Sequence, residues 1–572
     1  MPFLTMKNIK IVVLALSLIC GASSVFAQNI LSGGQVHGNF QTDMQYYTND
    51  EVLGINDSTL NGKRIGLNGF LDLNYTNQNF TAGLRYEAYL SPMLGFEPNA
   101  EGQGIPYYFA QYKNDFVDVT VGNFYEQFGN GLIFRTYQEW NLGYDNSMNG
   151  IRVKLHPFNG VSLKGVIGTQ RYYWEPYEDG NRGIVRGLDG EFYLNDMFKG
   201  LADKQTQIIV GASMVSKYEK MTSKTTVIND TIFEYNLPEN VAAFAGRVNI
   251  SHRGLNFITE YSYKMNNPSQ YNKFIYKPGQ ALFSTLSYSQ KGLGVILAAK
   301  RVDNMSYKSK MTEAENTLDI NFVPPLTKMH HYSLSTMYPY ATQLNGEYAF
   351  EGDVVYTVPK KSKLGGKYGI NIALNYSVVY DIDKQPIDGY PIGQTGTLGY
   401  TSDFFTLGGN KFFQDINIKI TKKFNKNWKG IFTYLNQVYD KDVIEGHVDE
   451  YGKIYADIIV ADVIYKVTPR QSLRTEFQAL FTEQDKGNWA SLTLEYNIAP
   501  KYFVSVMDEY NYGNEIAEDQ THYFNVAAGY IKDATRIAVS YGRQREGLLC
   551  VGGVCRQVPA STGLTVTVTS SF

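Results

Sequence analysis

Long apolar runs are missing from this chain, and with them one class of protein. Past residue 27, no stretch of the 572 residues approaches the ~20 apolar positions that a membrane-spanning helix needs. Mean hydropathy is −0.28, so a helical membrane protein is excluded. An excess of one charge sign is missing too. The formal balance is −3, or −5 without Lys7 and Lys10, and no nucleic-acid partner is expected without a basic face. Cysteine, tryptophan and histidine are scarce, at 3, 4 and 7 copies. There is no G-x-S-x-G elbow. The stretch FGNGL at 128–132 lacks the Lys-Ser/Thr of a phosphate loop and does not open a helix. No metal and no cofactor is expected. Internal repeats, low-complexity tracts and interdomain linkers are absent as well, so a single domain is expected over residues 28–572.

Residues 1–27 read as a cleaved secretory signal. Lys7 and Lys10 form a basic start, Ile11 to Ile19 is apolar, and Val25-Phe26-Ala27 supplies the cleavage pattern. Ile19 before Cys20 is too bulky for lipoprotein processing. Two cysteines remain, Cys550 and Cys555 in CVGGVC, and in an exported protein such a pair is expected to oxidise. Closing so short a loop is worth about 2 kcal/mol in the chain-entropy view.

What the chain has in quantity is Tyr (45), Phe (32) and Gly (53), residues of strands and tight turns. Most segments alternate with period two. In LNFITEYSYKM, Leu255, Phe257, Tyr261 and Tyr263 share one face, with Asn256, Glu260, Ser262 and Lys264 on the other. Leu84 and Tyr86 oppose Arg85 and Glu87, and Leu473 and Phe477 oppose Arg474 and Glu476. Such strands have one apolar and one polar face.

The turns decide between sandwich and barrel. Short connections at 77–79, 157–160, 251–254, 425–427, 499–501 and 532–534 alternate with longer polar loops such as 91–104, 221–240, 303–344, 381–411 and 441–452. Outer-membrane barrels segregate their loops in this way. The reading is all-β: one transmembrane antiparallel β-barrel of about 24 strands (range about 22–26), with short periplasmic turns and long extracellular loops. An even count puts both termini in the periplasm. Tyr455 to Lys466 departs from clean alternation, with Asp457 on one face and Asp462 and Lys466 on the other, which predicts a bulge there. The final strand, TGLTVTVTSSF, ends on Phe572, and a terminal aromatic on the apolar face resembles the signal read by the outer-membrane barrel-assembly machinery. Lipid and that machinery are the expected partners.

The inner face then carries charges of both signs, among them Asp72, Arg85, Glu87, Lys164, Asp189, Glu191, Arg247, Glu260, Lys264, Asp415, Lys419, Arg474 and Glu476. They either line a water-filled path or form ladders that hold the wall. The stretch GNFYEQFGNGLIFRTYQEW, 122–140, begins where the outward face Val117, Val119, Val121 ends. Residues 124–148 make a long connection to the next strand, with Ile151, Val153 and Leu155 outward. Folded inward, this loop brings Arg135, Glu139 and Asp145 to a constriction, with Arg152 on the wall beside it.

The order of strand, VGN, FGNGL, an arginine, a Trp-Asn pair and NGIRV resembles a segment of alginate-export-type porins. The matching positions within 121–153 are Gly122, Phe128-Gly129, Trp140-Asn141 and Gly150-Ile151-Arg152, while Asn123 and Phe124 replace that family's polar pair. Over its full length the chain resembles an uncharacterised family of outer-membrane barrels of Bacteroidota. The resemblance implies a location in the outer membrane and assigns no activity.

Three functions stand in order. The first is porin-like passage of small polar solutes, saccharides among them, through a partly plugged lumen. The second is a surface anchor whose long loops, 303–344 and 381–411, bind a partner. The last is a hydrolase embedded in the barrel. His330 and His331 are expected in a solvated loop. The acidic loop with Asp440, Asp442, Asp449 and Glu450 matches no calcium-loop spacing. The sequence carries no signal of oligomeric state.

Overall fold

The structure, a computed structural model, describes residues 33–572 except 221–222, 229–230, 315, 388 and 552–553. The expected signal at 1–27 lies outside the described residues. Among those described, 24 strands form one antiparallel sheet. Gln35–Tyr47 pairs with Ile65–Asn77, and so on along the chain to Thr535–Gln544 with Ser561–Ser571. That last strand returns to the first, from Asn39 opposite Ser571 to Tyr47 opposite Gly563. The sheet is closed, which leaves no edge for another chain to pair with.

Connections segregate by rim as the turns predict. One rim carries tight turns such as 78–79, 253–254 and 533–534, together with the described ends of the chain. Gln78 and Arg253 adopt positive φ of 50° and 52° at the first turn position, as two-residue hairpins require. Two longer connections on this rim escape the sequence reading: 194–205, with the short helices Leu194–Met197 and Lys199–Ala202, and 359–369. The other rim carries the long loops.

Alternation sorts the side chains as expected. Leu255, Phe257, Tyr261 and Tyr263 are exposed outward, whereas Glu260, Ser262 and Lys264 are buried inside. Aromatic residues gather at both ends of the outer face. Phe80, Tyr112, Phe158, Trp428, Tyr502 and Phe572 ring the short-turn rim, and Tyr46, Tyr108, Tyr263 and Tyr455 lie toward the other. Between them the face is apolar, aliphatic at Leu492, Leu494, Val504 and Val506 and aromatic at Tyr376 and Phe477. From Phe80 to Leu90 this band spans roughly 26 Å for a strand rising ~3.4 Å per residue at a tilt near 40°, a fit to the apolar core of a membrane.

One expectation is corrected. Pairing between Lys453–Thr468 and Gln471–Phe481 runs without a break from Asp457 opposite Phe481 to Lys466 opposite Ser472, and shifts only after Lys466. No bulge interrupts Tyr455–Lys466. Alternation looks irregular there because the inner face is itself apolar: Ile454, Ala456, Ile458 and Val460 are buried against something inside the barrel. The outward Asp457 accepts hydrogen bonds from Tyr434 Oη at 2.7 Å and Asn436 Nδ2 at 2.9 Å.

Candidate functional site: a plugged lumen

Two long connections turn inward and occupy much of the lumen. The first, 125–147, leaves the strand Val117–Phe124. Gly122 has φ +99°, and a Cβ there would stand 2.4 Å from the Tyr108 carbonyl oxygen, so only glycine fits. Gly129, at φ +51°, presses on the wall, where a Cβ would lie 2.4 Å from Glu260 Oε2. That oxygen accepts the Asn130 backbone N–H at 2.7 Å and the Asn130 side-chain amide at 2.8 Å. Around this tie, Phe128, Ile133 and Phe134 pack on Val166, Val185 and Val215 of the wall.

The second connection, 304–346, lies against the first. Arg135 N–H donates to the Ile320 carbonyl at 2.9 Å, and Phe322 N–H to the Gly131 carbonyl at 3.0 Å. Its ties to the wall run the length of the segment. Lys264 Nζ donates to the Ser306 carbonyl at 2.5 Å and Lys300 Nζ to the Pro324 carbonyl at 2.6 Å. His330 Nε2 lies 2.6 Å from Asp415 Oδ2, and Leu334 N–H donates to Gln478 Oε1 at 3.0 Å. Leu334, Tyr338 and Tyr340 cover the apolar inner strip at Ile454–Val460. The expectation of a solvated 303–344 loop is therefore corrected. His330 meets the wall, and His331, its neighbour on an extended chain, stays exposed. Signals were present in the segment: Met305, Tyr307, Met311, Leu318, Ile320 and Val323 are too many apolar residues for a loop in water.

Most of the sequence-selected charges join wall networks. Arg85 lies 3.0 Å from Asp72, 3.2 Å from Glu87 and 3.2 Å from Asp145. Arg171, which the sequence did not single out, meets Glu87 at 2.7 Å and Asp145 at 2.9 Å from the other side. Burial raises the Asp145 carboxyl, but Arg171 and Arg85 outweigh it and hold the group below the usual carboxylate range. Arg152 meets Asp118 at 3.1 Å and Glu126 at 3.7 Å. Arg247 joins Asp189 and Glu191 at 2.7 and 2.9 Å. Arg474 pairs with Asp462 and Glu476. Two residues stand apart. Arg135 is sandwiched inside the plug, 4.1 Å from the Phe322 ring and 4.6 Å from that of Tyr137. Glu139 lines a cavity at the long-loop mouth.

The plug leaves one side of the lumen uncovered. On Tyr502–Tyr510, His522–Lys532 and Thr535–Gln544 the inner residues include the small or polar Ser505, Asn525, Ala527, Ala538 and Ser540 beside the larger Phe503, Met507 and Tyr523. All are half-buried rather than buried. Above them a cavity of about 600 Å³ separates these strands from plug residues 325–340 and holds Glu509, Arg543 and Arg545. Toward the short-turn rim the wall opens, with His37 and Asn39 exposed.

A hairpin, Gly547–Val551 with Val554–Val558, crosses the mouth and is closed by the expected Cys550–Cys555 disulfide. Asn316 Nδ2 of the plug donates to the Cys555 carbonyl at 2.8 Å. At the acidic loop, Asp440 caps a helical turn through Val443 N–H. Asp442 accepts the backbone N–H groups of Tyr451, Gly452 and Glu450, which hold it below the usual carboxylate range. Those carboxylates close the loop.

No curated protein matches the chain. Among solved structures it is similar to the siderophore receptor PirA from Pseudomonas aeruginosa, at 8% identity and TM-score 0.40, covering 94% of this chain and 80% of that one. It is similar to the translocation pore of the P pilus usher PapC at 9% identity and TM-score 0.39, covering 94% and 99%. A mutant porin of Rh. blastica aligns at 13% identity and TM-score 0.24 over 59% of this chain and 93% of that one. The sequence model of a family of unknown function matches residues 6–572, and the chain belongs to that family, DUF6029.

Proposed function

We propose that this barrel sits in the bacterial outer membrane, long loops outward, and passes small polar solutes in a porin-like manner along the uncovered side of its lumen. The observation that carries the reading is the strip at Ser505, Asn525, Ala527, Ala538 and Ser540. Its small side chains are only half-buried, whereas the opposite walls are packed against the plug. Charges at its upper end, Glu509, Arg543 and Arg545, stand where a selectivity ring would act. Phe572, exposed at the end of the last strand, is the proposed handle for the assembly machinery.

Reconstitution in a planar bilayer tests the reading. The purified chain gives discrete channel openings, and Ala527→Trp with Ser540→Trp, neighbours across one strand pair, reduces their conductance at least severalfold. Silence at every voltage would sink it. A second reading, a barrel that anchors a partner-binding surface, draws on the loop 383–406, which exposes Tyr390, Ile392, Leu398 and Phe405.

A further inference from the structure

Two of the chain's four tryptophans, Trp140 and Trp174, line one cavity of about 290 Å³ at the long-loop mouth. Its size is at the lower end of ligand pockets, roughly 300–1,000 Å³. The walls are pinned. Trp174 Nε1 donates to the Ala100 carbonyl at 2.9 Å. Gly143, at φ +68°, brings the chain so close to Phe96 that a Cβ would lie 2.5 Å from its ring. Gly95, at φ +84°, lets the mouth hairpin close on top, since a Cβ there would stand 2.7 Å from the Gln557 carbonyl oxygen.

The polar groups fall into two sets. At the floor, Arg171 and Arg85 are matched by Glu87 and Asp145, so those charges cancel. Facing the space, the Glu139 carboxylate has no hydrogen-bond or ion-pair partner among the described residues, its backbone alone being paired, with Tyr144. Arg556 lies 4.0 Å over the Phe96 ring, its Nη1 donating to the Leu94 carbonyl at 3.4 Å and its second terminal N–H group without a partner among the described residues. Burial pushes this guanidinium down to about 10, against the pull of Tyr47. A site with aromatic faces, a carboxylate without a partner, a guanidinium with N–H groups to spare and a neutral floor suits a ligand whose own apolar face is ringed by hydroxyls.

We propose that this cavity binds a neutral saccharide, one or two pyranose rings stacked on the Trp140 and Trp174 wall, with hydroxyls donating to Glu139 and accepting from Arg556. The C–H face of a pyranose is weakly positive and meets the negative face of an indole. The proposal borrows from the passage reading only the side from which solute arrives.

The test is calorimetric titration of the full chain in detergent micelles with maltotriose, cellotriose and mannotriose, and with trigalacturonate as the anionic counterpart. At least one neutral trimer is expected to bind saturably. Trp174→Ala should weaken it tenfold or more, Glu139→Gln and Arg556→Gln three- to tenfold, and Trp174→Phe less than Trp174→Ala. Heat-modifiable migration in a gel verifies that each variant is folded, and the two polar variants carry the test if Trp174→Ala does not fold. No saturable binding by any neutral trimer, tighter binding of trigalacturonate, or affinity indifferent to every substitution would each overturn the proposal. Bilayer recordings of the same preparation separate the two readings. Channels without sugar binding remove the pocket and leave passage standing, whereas sugar binding without channels does the reverse.

Discussion

At the scale of single residues, the glycines decide where the plug begins and how near it comes to the wall. Gly122 and Gly129 both hold positive φ and both face atoms 2.4 Å from a would-be Cβ. Their presence was plain in the sequence, but their purpose depends on Tyr108 and Glu260, which are remote in the chain. Glu260 takes two hydrogen bonds from Asn130 on one buried oxygen. Glu260→Ala strands the Asn130 N–H, at a cost of about 1.5–3 kcal/mol for a charge-assisted bond. Hydrogen exchange should then quicken at 128–134 and stay unchanged at 334–340, which hangs from other ties. At the far end of the chain, Phe572→Ala leaves the described contacts of the strand intact apart from one ring. It is expected to cut the yield of heat-modifiable barrel severalfold without moving the stability of what does assemble. Equal yields would remove Phe572 as an assembly signal.

Individual strands were legible because their signal is local. Period two is written in the order of residues, and Leu255–Lys264 shows the same two faces in sequence and in space. The strand Lys453–Thr468 shows where that reading fails. Its inner face reads as broken alternation because Ile454, Ala456, Ile458 and Val460 face a plug rather than water. An apolar inner face in a barrel strand is thus the imprint of whatever fills the lumen, and the apparent bulge was the visible trace of the plug. The outer face permits a test of orientation on one strand. Leu494→Arg puts a charge in the middle of the apolar band, which costs about 2–4 kcal/mol at the bilayer midplane. Thr493→Arg, one residue away on the half-buried inner face, should change stability by less than about 1 kcal/mol. Denaturant unfolding in liposomes measures both, and equal costs would contradict the assignment of faces.

For the whole molecule the question is whether solute moves past the plug or moves the plug. Phe128, Leu132, Ile133, Phe134, Ile320 and Leu334 are each 0 % exposed. Returning those six side chains to water costs roughly 9–18 kcal/mol at about 1.5–3 kcal/mol apiece, before any of the polar ties is counted. Thermal fluctuation does not supply that on the timescale of a conducting pore, whereas the strip at Ser505, Asn525 and Ser540 needs no displacement. Barrel closure and strand number were readable because they rest on turn parity. The choice between these two routes was not, because it depends on which inner faces the loops happen to cover. A covalent lock separates them. Ser333 Oγ and Gln478 Nε2 already meet at 3.0 Å between plug and wall, so Ser333→Cys with Gln478→Cys, bridged by a short bis-methanethiosulfonate, should pin the segment through a reducible link. Conductance in a planar bilayer is expected to be the same before and after reduction of that link, and the Ala527→Trp, Ser540→Trp pair is expected to lower it in either state. Openings that appear only after reduction would show instead that the plug must leave, and the energy for its departure would then have to come from a partner outside the barrel.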